Sequence, residues 1–323
     1  MTLNKKREGG ALSSPLILMI IALLCTFLWG SASPAITVGK GLLGADKDVP
    51  SIMLFAGIRF AFAGVLTIII FSIARRKILI PKPKNIGRIL TVSVFQTVIQ
   101  YIFFYLGLDN TTSVKGAVTS GSGAFFAVLV AALIFRQEKL TKKKIIACVI
   151  GFVGILVINF NSLGVTGEKD NVFGIIFVLI SAVSNSVSSV LIKKFSAHED
   201  PVVISGYQFV VGGAFLVAVG LMFGGKLSFA SPVGNAILVY LMFLSAIAYS
   251  LWGLLLKHNP VSRVTVYNFT TPIFGTILSV IFLPEQNDKL SFVNLVITLI
   301  LISIGILLLN YVPKKQTHLR KFR

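Results

Sequence analysis

Residues 109–160 read DNTTSVKGAVTSGSGAFFAVLVAALIFRQEKLTKKKIIACVIGFVGILVINF, two apolar blocks around a charged turn. A helix rich in small residues ends near Glu138, three lysines follow (Lys142, Lys143, Lys144), and a second apolar helix closes on Gly151 and Gly154. The pattern returns at residues 259–311, NPVSRVTVYNFTTPIFGTILSVIFLPEQNDKLSFVNLVITLILISIGILLLNY. Asn110 matches Asn259, Glu138 matches Glu285, and Gly154-Ile155-Leu156 matches Gly305-Ile306-Leu307, with a slightly longer second turn. A chain that writes one apolar helix pair twice is read as a duplicated protein.

The 323 residues are 55% hydrophobic and 13% charged, where a soluble domain of this size carries roughly a quarter charged residues. The apolar residues fall into blocks long enough to cross a hydrocarbon core of ~30 Å as helices. The fold class is therefore an all-α membrane protein. Ten spans are expected, at about 15–38, 51–74, 86–107, 114–135, 145–163, 172–192, 202–223, 234–256, 261–283 and 290–312. The apolar run after Lys5-Lys6-Arg7 mimics a signal peptide, but it is long enough to span and is read as a retained first helix.

The net charge of +19 does not indicate nucleic acid, because the basic residues sit between apolar blocks and no nucleic-acid-binding motif accompanies them. They act as a topology signal. With the N-terminus inside, 23 of the 30 Lys/Arg fall on the cytoplasmic side, six fall outside, and Arg59 lies within a span. That bias orients the chain by the positive-inside rule, with both termini cytoplasmic. The two cysteines, Cys25 and Cys148, lie inside apolar blocks as small hydrophobes, with no disulfide, metal or cofactor expected.

Nine of the eleven prolines fall at or near span ends, where a missing N–H does little harm. Pro34 and Pro272 do not, so spans 1 and 9 are the expected kinked helices. In lipid a carbonyl freed by proline must find another partner or line a wet cavity.

Halving the chain near residue 165 leaves five spans on each side, and an odd number inserts the halves in opposite orientation. Span 2 reads Gly57-Ile58-Arg59-Phe60 with Gly64, and span 7 reads Gly206-Tyr207-Gln208-Phe209 with Gly213 at the same spacing. Span 3 has Tyr101 where span 8 has Tyr249. The expected organisation is a cytoplasmic tail (1–14), a first five-helix repeat (15–163), an external linker (164–171), a second repeat (172–312) and a basic tail (313–323). Inverted repeats recur in secondary transporters, with the substrate near mid-membrane between the halves.

The chain resembles the drug/metabolite transporter superfamily, specifically its EamA-type members. The resemblance is carried by Phe27-Leu28-Trp29-Gly30-Ser31, by Arg59-Phe60, and by the span 4–5 signature from Tyr105 through Glu138-Lys139-Leu140-Thr141 to Gly154-Ile155-Leu156. It implies that spans 1–4 and 6–9 surround a cavity with spans 5 and 10 outside it. It also implies a multi-pass protein of a bacterial plasma membrane that moves metabolites, amino acids or drugs, commonly outward.

Polar residues within spans mark where water or protein lies. Span 3 aligns Ser93, Gln96, Thr97, Gln100, Tyr101 and Phe104 on one helical face. Span 6 does so with Ser181, Ser184, Asn185, Ser188 and Ser189, and span 1 with Thr26, Gly30, Ser33 and Thr37 beside Trp29. Such stripes also serve close helix packing, yet Gln96, Gln100 and Asn185 exceed what packing needs. Span 9 carries Tyr267, Asn268, Thr270 and Thr271 ahead of Pro272. Span 8 places Ser245, Tyr249 and Trp252 on one face, whose rings either stack on a substrate or fill core. The candidate substrate-binding set is Trp29, Arg59, Gln96, Gln100, Tyr101, Asn185, Ser188, Tyr249, Trp252, Asn268 and Thr271.

Arg59 is the single charge well inside a span. It is either a structural tie to carbonyls or an anchor for a carboxylate or phosphate. No Asp or Glu lies mid-span, although proton-driven carriers usually place a carboxylate or histidine in the path. A facilitator, an exchanger, or coupling through the substrate's own charge is expected. Intramembrane enzymes need paired acids with a metal, or a nucleophile with its base, and neither pattern occurs. A channel and a non-transporting scaffold remain the alternatives. The partners are a small-molecule substrate and the bilayer.

Overall fold

The computed structural model describes residues 11–110, 119–158, 172–282 and 292–310. All regular structure among them is helical. In chain order the rods are α1 (Pro15–Leu42), α2 (Val49–Ala74), α3 (residues 86–109), α4 (Thr119–Ile134), α5 (Lys142–Ile158), α6 (Val172–Phe195), α7 (Pro201–Met222), α8 (Pro232–His258), α9 (residues 261–282) and α10 (Phe292–Asn310). Each lies where an apolar block predicts a span. Six of the described helices are long and apolar enough to cross a membrane, namely α1, α2, α3 with its leading turn, α6, α7 and α8, and two shorter apolar helices lie in α4 and α10. Isoleucines and leucines stay outward on these rods, as at Ile73 (73% exposed) and Leu307 (67%), as expected of surfaces that meet lipid tails rather than water.

Local chemistry sets the helix starts. Asp48 accepts the Ser51 N–H at 2.7 Å ahead of α2, Asp200 the Val202 N–H at 2.8 Å ahead of α7, and Ser231 the Gly234 N–H at 3.1 Å ahead of α8. A proline stands in the first turn of each, where its missing N–H costs no helix bond.

Four pairs of helices run antiparallel. α2 lies on α7, α5 on α10, α1 on α8, and α3 on α6. At the α2–α7 crossing, a Cβ on Gly57 would meet the Val217 backbone and the Gly213 carbonyl, and one on Gly64 would meet the Gly206 carbonyl and the Val210 backbone. The four glycines that match in sequence therefore face each other in two pairs, and the backbones approach as small residues permit. Likewise Gly154 faces Ile302 while Gly305 faces Ala147 and Gly151.

Pro34 lies inside a continuous α1. The carbonyl four residues before it belongs to Gly30, where α1 and α9 approach so closely that a Cβ would come within 2.6 Å of the Phe274 Cβ. In α9, Pro272 does not sit mid-helix. A 3-10 segment, Val266–Thr270, precedes a new helix at Thr271–Phe282, so Pro272 occupies a first turn. The Asn268 carbonyl, which proline would orphan, accepts the Thr271 N–H instead, a 3-10 adjustment that satisfies the backbone within lipid.

Glu285 falls outside the described residues, as do the linker and most of the two tails.

Candidate functional site

The centre of the bundle is built on α2, α3, α7 and α8, with α1 along one side. α3 is irregular at the point that matters: Val94–Ile99 forms a π-helical segment between two α-helical stretches, a feature that frequently marks functional positions. It carries Gln96 and Thr97, both buried. Thr97 Oγ1 donates to Gln208 Oε1 (2.7 Å) and Ser93 Oγ to the Gln208 carbonyl (2.9 Å), tying α3 to α7. From α6, Ser184 Oγ donates to the Phe95 carbonyl at 2.6 Å.

Arg59 is 2% exposed on α2. Its Nε donates to Ser245 Oγ of α8 at 3.1 Å, and its guanidinium lies 4.8 Å from the Phe60 ring centre. It also approaches the Tyr105 side chain, but neither Nη1 nor the Tyr105 hydroxyl completes a hydrogen bond. The described ion pairs are Arg75–Asp200 and Lys144–Glu138, so Arg59 has no described carboxylate partner.

Around it the aromatic rings close up. The Tyr101 and Tyr249 hydroxyls are 2.5 Å apart. Phe60 stacks on Phe209 at 5.0 Å and touches Tyr101 at 4.3 Å, and Phe209 meets Tyr249 edge-on at 4.9 Å. Trp29 packs on Tyr249 (5.1 Å) and Trp252 (4.9 Å). Of the sequence candidates, the fold thus brings Trp29, Arg59, Tyr101, Tyr249 and Trp252 into one group, with Gln100 beside Tyr249.

Gln96 Oε1 and Gln100 Oε1 on α3, and Asn268 Oδ1 and Thr271 Oγ1 on α9, are buried oxygens without a protein partner, as is the Trp29 indole nitrogen. Buried polar atoms are rarely left so without a reason. Asn185 is half-buried, and Ser188 spends its hydroxyl on the Asn185 carbonyl (2.7 Å). The α6 serines lean toward packing, since Ser186 donates to the carbonyls of Gly123 and Ala182. Among the described residues, no hydrogen bond or ring contact links Asn185, Ser188, Asn268 or Thr271 to the aromatic group.

Two members were missed by the sequence reading of the site, Gln208 and Phe209. The signal existed, because they match Arg59 and Phe60 in the span 2–span 7 alignment. Gln208 accepts from Thr97 where Arg59 donates to Ser245, and Thr97 and Ser245 stand four residues before Tyr101 and Tyr249.

One end of the bundle is closed by charge. Glu138 receives Lys144 Nζ at 2.6 Å, Ser262 Oγ at 2.5 Å and the Ser262 N–H at 3.2 Å, so the α4–α5 turn caps the start of α9. Burial raises the Glu138 carboxyl, but these donors outweigh it and hold the group below the usual glutamate range. Glu199 behaves alike, with burial opposed by Asn85 Nδ2 and the Lys82 and Asp200 N–H groups. Lys193 Nζ meets the carbonyls of Leu256 (2.9 Å) and Asn259 (2.5 Å) at the end of α8.

Apolar rods enclosing a small polar and aromatic centre define a multi-pass helical membrane protein. Comparison with known proteins gives its kind. Residues 16–160 and 172–311 each match the EamA-like transporter family, and the chain belongs to that family. It is similar to an uncharacterized transporter of Archaeoglobus fulgidus (25% identity over 83% of this chain and 90% of the relative). It is likewise similar to the uncharacterized transporter YvbV of Bacillus subtilis (26%, covering 91% and 93%). A chloroplastic WAT1-related protein of Arabidopsis thaliana is 24% identical over 85% of this chain and 66% of its own. One solved crystal structure superposes with a TM-score of 0.70 over 96% of this chain and all of the other, at 19% identity, a likeness of fold. The protein is a membrane transporter rather than an enzyme.

Proposed function

We propose that the chain is a secondary transporter that exports a small polar or amphipathic metabolite. The mechanism is alternating access between two inverted five-helix repeats, residues 15–163 and 172–312, in a bacterial plasma membrane with both termini cytoplasmic. The carrying observation is the set of unpartnered buried groups at Arg59, Gln96, Gln100, Asn268 and Thr271. They stand on α2 and on two interrupted helices, where transporter folds place substrate contacts. The antiparallel pairing of matching segments supports the repeat relation. The charged contacts of Glu138, Glu199 and Lys193 would form one gate.

The absence of any mid-span Asp or Glu from the sequence favours exchange, facilitation, or coupling through substrate charge over proton coupling. A metabolite-export screen in cells overexpressing the chain tests the reading, repeated with Gln100→Ala and Asn268→Ala. The wild type should release specific solutes and both variants much less; release equal to that of empty cells refutes it. In proteoliposomes saturable counterflow separates a carrier from a channel, and uphill flux driven by a pH gradient alone would overturn the uncoupled assignment.

A further inference from the structure

We propose that Arg59 is the anchor for the carboxylate of the transported solute, whose apolar body lies against the aromatic rings; this rests on the transport reading above. A guanidinium 2% exposed is costly to desolvate without a counter-charge. Here its contacts are the Ser245 hydroxyl, the Phe60 ring and the nearby Tyr105 side chain, none of them a counter-charge, and Nη1 is unpartnered. The matching position in the other half shows that packing does not require the charge. Gln208 is fully buried there and accepts from Thr97 Oγ1, where Arg59 donates to Ser245 Oγ, and its Nε2 is likewise unpartnered. A neutral amide fills the same niche, so the cation at 59 serves something beyond the interface.

What surrounds it fits an anion with an apolar body. The Tyr105 hydroxyl and Trp29 indole N–H are further unpartnered donors in the same cluster, and guanidinium with such donors is the chemistry that recognises a planar carboxylate. The rings of Phe60, Tyr101 and Tyr249 offer apolar contact beside it. Gln100, beside Tyr249, adds an unpartnered carbonyl oxygen, which suits an ammonium group on the same solute. The shared chemistry is thus a carboxylate, carried either by a simple organic acid or by an amino acid.

The two tryptophans of the chain, Trp29 and Trp252, both belong to this site, so intrinsic fluorescence reports on it directly. Full-length protein in lipid nanodiscs is titrated with cyclohexanecarboxylate, leucine and the neutral isostere cyclohexanecarboxamide. The expected result is a saturable change for one of the carboxylates at concentrations roughly ten- to hundredfold below the amide. Which one responds separates organic acid from amino acid. In Arg59→Gln, the substitution its own counterpart carries, that advantage should vanish. A wild type that fails to discriminate acid from amide, by equal response or by none, overturns the inference without any variant. Carboxylate preference retained in folded Arg59→Gln does the same. Counterflow distinguishes the two failures: exchange of solutes without carboxylate preference removes this inference and leaves transport standing, while no exchange of any solute removes both.

Discussion

The hydroxyls of Tyr101 and Tyr249 lie 2.5 Å apart, and these residues occupy matching positions in the two halves of the sequence. Phe60 and Phe209, another matched pair, stack beside them. A buried hydroxyl pair of this kind stabilises by about 1 kcal/mol net, and removing one partner strands the other at about 1–3 kcal/mol. Tyr101→Phe and Tyr249→Phe should therefore each lower stability by about 1–2 kcal/mol, and the double variant should be no worse than the poorer single one. Unfolding of all four proteins measures the coupling; additive losses would mean that the hydroxyls do not depend on each other.

The α2–α7 crossing makes a sharper demand. A Cβ at Gly213 would lie 2.2 Å from the Ala61 nitrogen, and one at Gly64 2.5 Å from the Gly206 carbonyl. These are backbone atoms, so neither clash can be relieved by a side-chain rotation. Gly213→Ala and Gly64→Ala should each destabilise by about 1–3 kcal/mol or more through overpacking. Gly87→Ala is the control, with nothing within 4 Å of its new methyl. It should be neutral or stabilising by up to ~1 kcal/mol, as in any helix. Thermal melts of the three variants in detergent check the ranking.

Much of this was legible in the sequence because lipid makes hydropathy periodic and unforgiving. The apolar blocks, the matched glycines and the Tyr101/Tyr249 pair each arise from a local rule, backbone satisfaction in hydrocarbon or close helix approach. Arg59, Gln96, Gln100 and Trp29 stood out because polar groups in spans need a reason. What did not show was phase. The π-helical turn at Val94–Ile99 and the 3-10 turn at Val266–Thr270 change which side chains share a face; Pro272 signals an interruption at the second but not its phase, and the first leaves no composition signal. The α6 stripe suggested a substrate surface at Ser188, whereas its hydroxyl is used within its own regular helix. Gln208 aligns with Arg59 in the sequence, but its place in the site follows only from the structure, where Thr97 ties it to α3.

Glu138 gives stability one of its pH dependences. Its carboxyl sits below the usual value of 4.5 when folded, burial being outweighed by the donors from Lys144 and Ser262. A depressed carboxyl contributes stability that is present above the unfolded pKa and is lost as pH falls through the folded one. Glu138→Gln should therefore be less stable than wild type at pH 7, and the gap should close as the pH drops below 4.5. Glu138→Ala should cost about 1–3 kcal/mol at pH 7, since it also strands the Ser262 N–H. Melting temperatures from pH 7 to pH 3 are the measurement, and a gap that widens on acidification would contradict this account of the contact.

Pro272 tests whether the interruption of α9 has a role in transport. Without a proline N–H the Asn268 carbonyl turns to Thr271, which holds Val266–Thr270 in 3-10 form and presents Asn268 and Thr271 with buried, unpartnered oxygens. Pro272→Ala restores an N–H four residues after Asn268, so an α-helical bond becomes available and the segment can straighten. Because proline already sits in a first turn, where it does little harm, the change should leave stability unaltered or raise it by up to ~1 kcal/mol. Amide exchange at residues 266–272 should become slower. Straightening re-aims Asn268 and Thr271, so counterflow should fall by about tenfold, the effect of a lost contact of ~1.4 kcal/mol. Flux at the wild-type rate through a straightened α9 would show that the irregular turn serves the backbone alone, and that Asn268 and Thr271 do not touch the solute.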